Sequence, residues 1–156
     1  MPVPSALAGL EVDGDAYFYI RNLQNDIIGI MDSSGTVVVK YSYDSWGKVL
    51  SVTGPGAGGI GSINPFRYRG YYYDAETGMY YLGRRYYDPT MKRFICSDRS
   101  EMIDALDGLK DINLYSYCDN NPVIRIDNGG VFGRFLCFHL CLLLSLLKKQ
   151  FLLHLK

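Results

Sequence analysis

Hydrophobic and polar positions between residues 17 and 94 follow a short-period pattern. Runs of β-branched and aromatic residues are separated by clusters of Gly, Asp, Asn and Ser, which is typical of antiparallel strands joined by tight turns. Four strands are predicted in the first half of this region: YFYIRNL, DIIGIMD, TVVVKYSYD and KVLSVT. The connecting segments carry Asp or Asn near Gly, as tight turns require. The chain is therefore predicted to be mainly β.

The hairpin pattern repeats along the chain. Residues 32–37 and 44–49 share the pattern D-S-x-G-x-V at a spacing of 12 residues. The triplet Tyr-Tyr-Asp occurs at residues 72–74 and again, 14 residues later, at residues 86–88. A single hairpin does not bury its own face, so neighbouring hairpins are expected to stack into a continuous sheet.

Two later segments depart from the strand pattern. Residues 101–110, EMIDALDGLK, have apolar positions at helical spacing after the capping candidates Asp98 and Ser100, and they predict a short helix. Residues 131–156 hold 10 of the 18 Leu and no acidic residue, which predicts a helical hydrophobic tail. The chain is accordingly divided into a lead-in (1–16), a β-region (17–130) and this tail. Any helix is expected to lie in 101–110 or in the tail.

Three interpretations of the tail stay open. Its 26 residues are too few for an enzyme with its own core. The apolar run 135–147 is shorter than the ~18–20 residues that span a bilayer. The three interpretations are a degenerate or frame-shifted segment, a helix that contacts a membrane surface, and a hydrophobic plug that packs against the rest of the protein.

Charge and targeting signals narrow the function classes. The chain has 16 basic and 16 acidic residues, so it has no long-range field to hold a phosphate backbone, and no nucleic-acid partner is expected. The N-terminal residues lack the basic and long apolar regions of a signal peptide, and none is predicted. The four cysteines are too few and too spread for a disulfide scaffold.

Two motifs suggest bound groups, and both have a structural explanation. Residues 56–61 match the dinucleotide motif G-x-G-x-x-G, but Pro65 opposes the helix that this motif needs, so residues 54–62 are predicted as a flexible loop and no cofactor is expected. On a helix, Cys137 and Cys141 share a face from which His139 points away, so no metal site is expected.

Residues 66–95 are dense in Tyr and Arg. Such side chains can stack on nucleic-acid bases, but acidic residues within the segment cancel much of the basic charge. The pattern favours pairing of Tyr and Arg across strands, with the Tyr rings buried and their hydroxyls reaching water or backbone.

This region closely resembles the RHS-repeat-associated core domain, the C-terminal core of Rhs and YD-repeat polymorphic toxin proteins. The resemblance covers roughly residues 17–130. It is carried by YSYDSWG (41–47), NPFRYRGYYYD (64–74), ETGMYYL (76–82), RYYDP (85–89), RFI (93–95) and NLYSYCDNNPV (113–123).

The resemblance implies the end segment of a hollow β-shell that is built from a long spiral of YD repeats. In such proteins the shell encloses a variable C-terminal toxin, which is delivered to competitor or host cells. The expected partners are therefore an upstream YD-repeat shell, in the same or a neighbouring chain, and a C-terminal toxin payload. The parent family is secreted or located at the cell surface. The tail occupies the payload position, so the payload is interpreted as missing or degenerate and the segment as non-enzymatic.

Some members of the family release the payload by aspartyl autoproteolysis, with two Asp in D-P-x-G motifs. The matching positions are Asp98 and Asp127, but neither is followed by Pro, and they are 29 residues apart, farther than is usual in the family. The resemblance thus leaves three functions open: a non-enzymatic shell segment, a self-cleaving aspartyl protease, and a cell-surface module that binds glycans through the Tyr and Arg face.

Overall fold

The computed structural model describes residues 8–97 and 113–127, together with the backbone of residues 134 and 135. Its architecture is mainly antiparallel β, as predicted. The first five strands form one sheet in sequential order. They are β1 (Gly9–Val12), β2 (Asp15–Arg21), β3 (Ile27–Asp32), β4 (Val37–Tyr43) and β5 (Val49–Thr53).

The four predicted strands of this sheet are confirmed as β2 to β5, while β1 is an addition that lies within the predicted lead-in. The sequence signal for β1 is the Asp13-Gly14 pair that follows it. In the structure both residues have positive φ, 54° and 87°. An Asp-Gly pair with positive φ at both residues forms the two-residue hairpin turn that joins β1 to β2.

A second, four-stranded sheet follows and also keeps sequential order. It contains β6 (Tyr72–Asp74), β7 (Met79–Tyr81), β8 (Tyr86–Asp88) and β9 (Arg93–Phe94). A two-stranded pair is formed by β10 (Arg125–Ile126) and β11 (Arg134–Phe135). The helix predicted for the tail therefore does not include the two residues of β11.

The expectation of one continuous sheet is wrong for the described residues, because strand pairing stops between β5 and β6. The segment between them is rich in Gly and contains Pro65, and at Arg69 and Gly70 it has positive φ. Glycine, proline and positive φ each interrupt an extended ladder. One isolated bridge, Phe66 to Tyr72, is the pairing that remains at the break.

Short helical turns occur where none was predicted. A one-turn helix, α1 (Ile60–Ile63), lies in the predicted loop, and 3-10 turns span Tyr68–Gly70 and Cys118–Asn120. Pro65 does restrict its predecessor, since Asn64 has an extended ψ of 116°. The restriction therefore ends α1 at Ile63 instead of preventing it. The predicted helix 101–110 and tail residues 136–156 lie outside the described residues.

Two buried clusters hold the sheets together. The first sheet buries an aliphatic group with one tyrosine: Ile27, Ile30, Val39, Tyr41 and Ile60. The second cluster is mostly aromatic: Tyr68, Tyr71, Tyr80, Leu82, Tyr87, Phe94, Tyr117 and Cys118. Cross-strand register explains the second cluster, because Tyr80 pairs with Tyr73 on one side and Tyr87 on the other, and Tyr87 pairs with Phe94. These side chains point to one face of the sheet, as their alternation predicts.

No helix within the described parts of the chain is long and apolar enough to cross a membrane.

Candidate functional site

The turn between β4 and β5 is built by its own sequence motif. Asp44 accepts hydrogen bonds at Oδ1 from the backbone N–H groups of Trp46 (2.8 Å) and Lys48 (2.9 Å). Gly47 closes the turn with a φ of 88°, a conformation that favours glycine. The earlier copy of the motif is built alike, since Asp32 Oδ1 accepts the N–H groups two and four residues further on, both at 2.9 Å. The repeat therefore encodes one turn geometry twice.

Three tyrosines of the second cluster bind the turn between β4 and β5. Their hydroxyls donate to three successive backbone carbonyls: Tyr68 to Ser45 at 3.0 Å, Tyr87 to Trp46 at 2.7 Å and Tyr80 to Gly47 at 2.8 Å. We name this arrangement the tyrosine clamp. It joins the first sheet to the second by bonds that span 23 to 41 residues of sequence.

Gly47 is also required by the space in the clamp. A Cβ atom at this position would lie 2.4 Å from a ring carbon of Tyr68, whereas at Gly35, in the earlier turn, it would meet nothing within 4 Å. Both glycines have nearly equal φ, 88° and 85°. The two turns thus differ in packing and not in backbone conformation.

Buried arginines pack among the aromatic side chains. We call the second cluster together with Arg67, Arg69 and Arg85 the aromatic lattice. Arg67 is 7% exposed, and its guanidinium carbon lies 4.4 Å from the ring centroid of Tyr73 and 5.4 Å from that of Tyr41. The backbone N–H of Arg69 donates to Asp26 Oδ1 at 2.9 Å, and its Nε lies 3.6 Å from the same oxygen. The Arg69 side chain also donates to the carbonyl of Pro122. These contacts confirm that the Tyr and Arg side chains have structural roles, but the predicted pairing of Tyr with Arg across strands is wrong here, because the strands pair Tyr with Tyr and these arginines lie outside the strands.

Asp127, one of the two predicted catalytic carboxylates, lies in the same lattice and is 2% exposed. Its Oδ2 is 3.9 Å from Nη2 of Arg85. Arg85 also donates from Nη1 to the carbonyl of Leu114 at 3.0 Å and lies over the ring of Phe94 at 3.6 Å. Tyr71 donates to the Asp127 carbonyl at 2.8 Å. Asp127 is thereby a fixed point that holds residues 113–127 against the second sheet.

The other predicted catalytic residue, Asp98, lies outside the described residues. Catalysis by a pair of carboxylates needs both groups to share a proton, so the aspartyl dyad stays a prediction. Sequence reasoning selected Asp127 but missed Arg85 and Tyr71. The available signal was the Tyr-Tyr-Asp repeat, because Tyr71 and Arg85 occupy the same position directly before its two copies.

The Gly-rich loop at residues 54–61 packs on the sheet. Gly56 donates its N–H to the carbonyl of Val38 at 2.9 Å, and a Cβ there would lie 2.8 Å from Ile60. A Cβ on Gly61 would lie 3.1 Å from Val39. Close packing against β4 accounts for these glycines.

Metal-ligating side chains do not gather in groups of three or more within residues 8–97 and 113–127. The candidate set Cys137, His139 and Cys141 lies outside those ranges. Of the two described cysteines, Cys96 is exposed and Cys118 is buried. Burial raises the pKa of the Cys118 thiol to about 12, so this thiol is protonated at neutral pH and packs as an apolar group.

Burial also keeps the phenols of the lattice neutral. It raises the pKa of Tyr19 to about 12, and it raises the pKa values of Tyr68, Tyr71, Tyr80 and Tyr87 above their ordinary value. A neutral phenol keeps its proton and remains a hydrogen-bond donor. The clamp and the Tyr71 contact to Asp127 therefore depend on protonated tyrosines.

The antiparallel hairpins, the Asp-Gly turns and the aromatic lattice define a repeat-built β-shell segment. The profile of the Teneurin YD-shell family matches residues 7–123. The chain belongs to this family, which confirms the resemblance to the Rhs and YD-repeat proteins.

Relatives with named activities share the segment. The chain is 45% identical over 114 residues to the tRNA nuclease WapA of Bacillus subtilis strain 168, covering 73% of this chain and 5% of WapA. It is 35% identical over 106 residues to the double-stranded DNA deaminase toxin A of Burkholderia cenocepacia strain H111, covering 68% of this chain and 7% of the toxin. The chain thus spans only a small part of these relatives.

A solved structure shares the fold. The crystal structure of TcdB2-TccC3 without its hypervariable C-terminal region superposes with a TM-score of 0.65 at 30% identity, covering 82% of this chain and 5% of that chain. The matched segment therefore has this fold in a structure that lacks the hypervariable region.

The first prediction separates packing from backbone strain in the two turns. Gly47→Ala is expected to lower the free energy of unfolding by about 2–4 kcal/mol, because it combines positive φ with a clash against Tyr68. Gly35→Ala, the matched control, is expected to cost about 1 kcal/mol from φ alone. Urea unfolding of both variants measures the difference. Equal losses would contradict the clamp.

The second prediction concerns alkaline pH. Unfolded tyrosines ionise near pH 10, whereas the buried phenols stay protonated, so the unfolded state binds fewer protons above that pH. Stability is fully present below about pH 10 and is expected to fall between pH 10 and 12. Several tyrosines contribute, so the slope should exceed the roughly 1.4 kcal/mol per pH unit of a single group.

Thermal melts monitored by circular dichroism measure this loss, and tyrosinate absorbance measures ionisation in the same samples. Protein in denaturant gives the reference titration. Ionisation of all 14 tyrosines near pH 10 with the fold intact would contradict the prediction.

Proposed function

We propose that this chain is a non-enzymatic core segment of an Rhs/YD-repeat shell that encloses and presents a C-terminal toxin. One observation carries the proposal: relatives named as a tRNA nuclease and as a DNA deaminase toxin share this same segment. Two unrelated chemistries do not come from one common segment of 5% or 7% of each protein. The shared part is better suited to carry than to catalyse.

The fold supports association with upstream repeats. In the second sheet, residues 65–66 and 115–116 cover the outer strands, through Tyr73 N–H to Pro65 and Phe94 N–H to Tyr115. In the first sheet, β1 and β5 each have one edge with no strand partner among the described residues. Open edges accept further strands, and an upstream YD repeat is the partner that the family supplies.

The remaining parts of the proposal follow the family. The tail at residues 131–156 takes the payload position after the β-region 17–130, and its payload is missing or degenerate. The parent protein is secreted or located at the cell surface, as in the family. Glycan binding by the Tyr and Arg face stays a prediction. Arg67, Arg69 and Arg85 are buried and make internal contacts, so other side chains of this face would have to bind the glycan.

The test is a graft into a relative. The matching segment of Bacillus subtilis WapA is replaced with residues 7–123 of this chain, and the graft is compared with unmodified WapA by size-exclusion chromatography and limited proteolysis. The expected result is the same particle size and the same protease-resistant shell. A graft with Gly47→Ala serves as the control and should lose resistance. A soluble graft whose new segment is digested while the rest stays resistant would contradict the proposal.

The self-cleaving alternative has a specific obstacle at Asp127. Its carboxylate is buried beside the Arg85 guanidinium, which compensates its charge, whereas a protease dyad needs two carboxylates that share a proton. We propose a structural role for Asp127 and for Asp98, and no cleavage near Val131-Phe132.

The third prediction tests this role. The purified full chain should keep its mass of 17.6 kDa on incubation. Asp127→Asn should leave the mass pattern unchanged but lower the free energy of unfolding by roughly 3 kcal/mol, because it leaves a buried guanidinium without its anion. Mass spectrometry and urea unfolding measure the two effects. A fragment that ends near residue 131 and disappears in Asp127→Asn would establish autoproteolysis.

A further inference from the structure

An opening lies in the first sheet where β3 and β4 separate. Their ladder pairs Gly29 with Lys40 and continues toward Met31, but no pair precedes Gly29. The first residue of β3 forms other bonds: Ile27 donates its N–H to the carbonyl of Arg67 at 3.1 Å and accepts the hydroxyl of Tyr43 at 2.7 Å. A cavity of about 430 Å³ lies where the strands separate.

Among the described residues, the charged side chains that line this cavity are Asp26 and Asp44, and none is Lys, Arg or His. Asp26 is already compensated, because it pairs with Arg69 and accepts a hydrogen bond at Oδ2 from Asn22 at 2.6 Å. Asp44 differs: Oδ1 accepts the two turn N–H groups, and Oδ2 has no partner among the described residues. One carboxylate oxygen at the cavity therefore has no donor from residues 8–97 or 113–127.

Aromatic rings form a second part of the wall. Tyr41, Tyr43 and Tyr68 all line the cavity, with 6.3 Å between the ring centroids of the first two and 6.1 Å between those of the last two. Tyrosine rings attract cations through their negative faces. Gln24 fixes one side of the cavity, since its Nε2 donates to the carbonyl of Val123 at 2.9 Å. The wall therefore combines aromatic rings and carboxylates with neutral polar and aliphatic side chains.

We propose that this opening is a binding site for one organic cation, a guanidinium or alkylammonium head group. The ring of Tyr43 would receive the delocalised charge, because Arg67 and Arg69 already lie over Tyr41 and Tyr68 at 5.4 and 5.3 Å, and Asp44 Oδ2 would accept a hydrogen bond from the head group. The affinity is weak, in the millimolar range, because one partly exposed carboxylate and cation–π contacts supply it. The site is independent of the proposed function, since it does not involve the shell edges or Asp127.

Trp46 makes the site measurable. It is the only tryptophan of the chain, and its backbone N–H donates to Asp44 Oδ1 at 2.8 Å. Titration of the full chain with agmatine is expected to change Trp46 fluorescence and to give saturable heat by isothermal titration calorimetry. The peptide Ac-Gly-Arg-Gly-NH2 tests whether a side chain within a peptide reaches the site as well as a free small molecule. The citrulline peptide of the same shape, which is neutral, is expected not to bind.

The decisive variant is Asp44→Asn. The amide oxygen still accepts the two turn N–H groups, while the charge is removed, so the turn is retained. We expect about a five-fold rise in the Kd for agmatine. Asp32→Asn is the matched control, because it makes the same change in the same turn motif but does not line the cavity. Its Kd should equal that of the parent chain.

A second pair of variants tests the ring. Tyr43→Phe keeps the aromatic face and should keep agmatine binding, whereas Tyr43→Leu should lose it, with circular dichroism showing that both are folded. The proposal is overturned if agmatine gives no saturable signal, if the citrulline peptide binds as well as the arginine peptide, or if Asp32→Asn weakens binding as much as Asp44→Asn.

Discussion

The structure depends on one constraint, which is the packing of a turn against the aromatic cluster. The turn between β4 and β5 presents its carbonyls to the aromatic cluster of the second sheet, and a buried carbonyl without a donor costs free energy comparable to a lost hydrogen bond. Tyrosine meets this need because its ring fills the core while its hydroxyl reaches the backbone. The three hydroxyls of the clamp satisfy residues 45–47 in succession. Two sheets with no continuous ladder between them are thereby joined.

The buried arginines also need partners, and their positive charge must be compensated as well. A buried guanidinium must be compensated, and here the compensation is mixed. Asp127 supplies it to Arg85 and Asp26 to Arg69. Arg67 instead lies over two tyrosine rings and donates to the carbonyl of Gly61 at 3.3 Å. Because each of these arginines also contacts a ring or a distant carbonyl, the lattice binds segments that strand pairing alone leaves apart.

Periodicity predicted the strands well, because alternation and turn chemistry are local properties of the sequence. It identified β2 to β5 and the Asp-Gly turns, and it marked Tyr and Arg as structural. Long-range partners were beyond it: no local signal assigns the Tyr87 hydroxyl to Trp46, 41 residues away, or Arg85 to Asp127. The break between β5 and β6 was missed for a similar reason, since repeat spacing describes hairpins and not the ladder between them. Pro65 was expected to exclude a helix from the loop before it. Proline restricts only the residue directly before it, so α1 forms and ends at Ile63.

The two copies of D-S-x-G-x-V show how a repeat acquires different roles. Both Asp side chains organise the same turn, and both glycines have the same φ within a few degrees. Gly35 faces open space, whereas Gly47 faces the ring of Tyr68. The motif therefore specifies the turn conformation. Whether the turn is exposed or packed depends on the second sheet, whose tyrosines contact the turn at Gly47 and not the turn at Gly35. A segment assembled in this way directs the hydroxyls of Tyr68, Tyr80 and Tyr87 to its own backbone, so these groups serve to join the two sheets and not to contact another molecule.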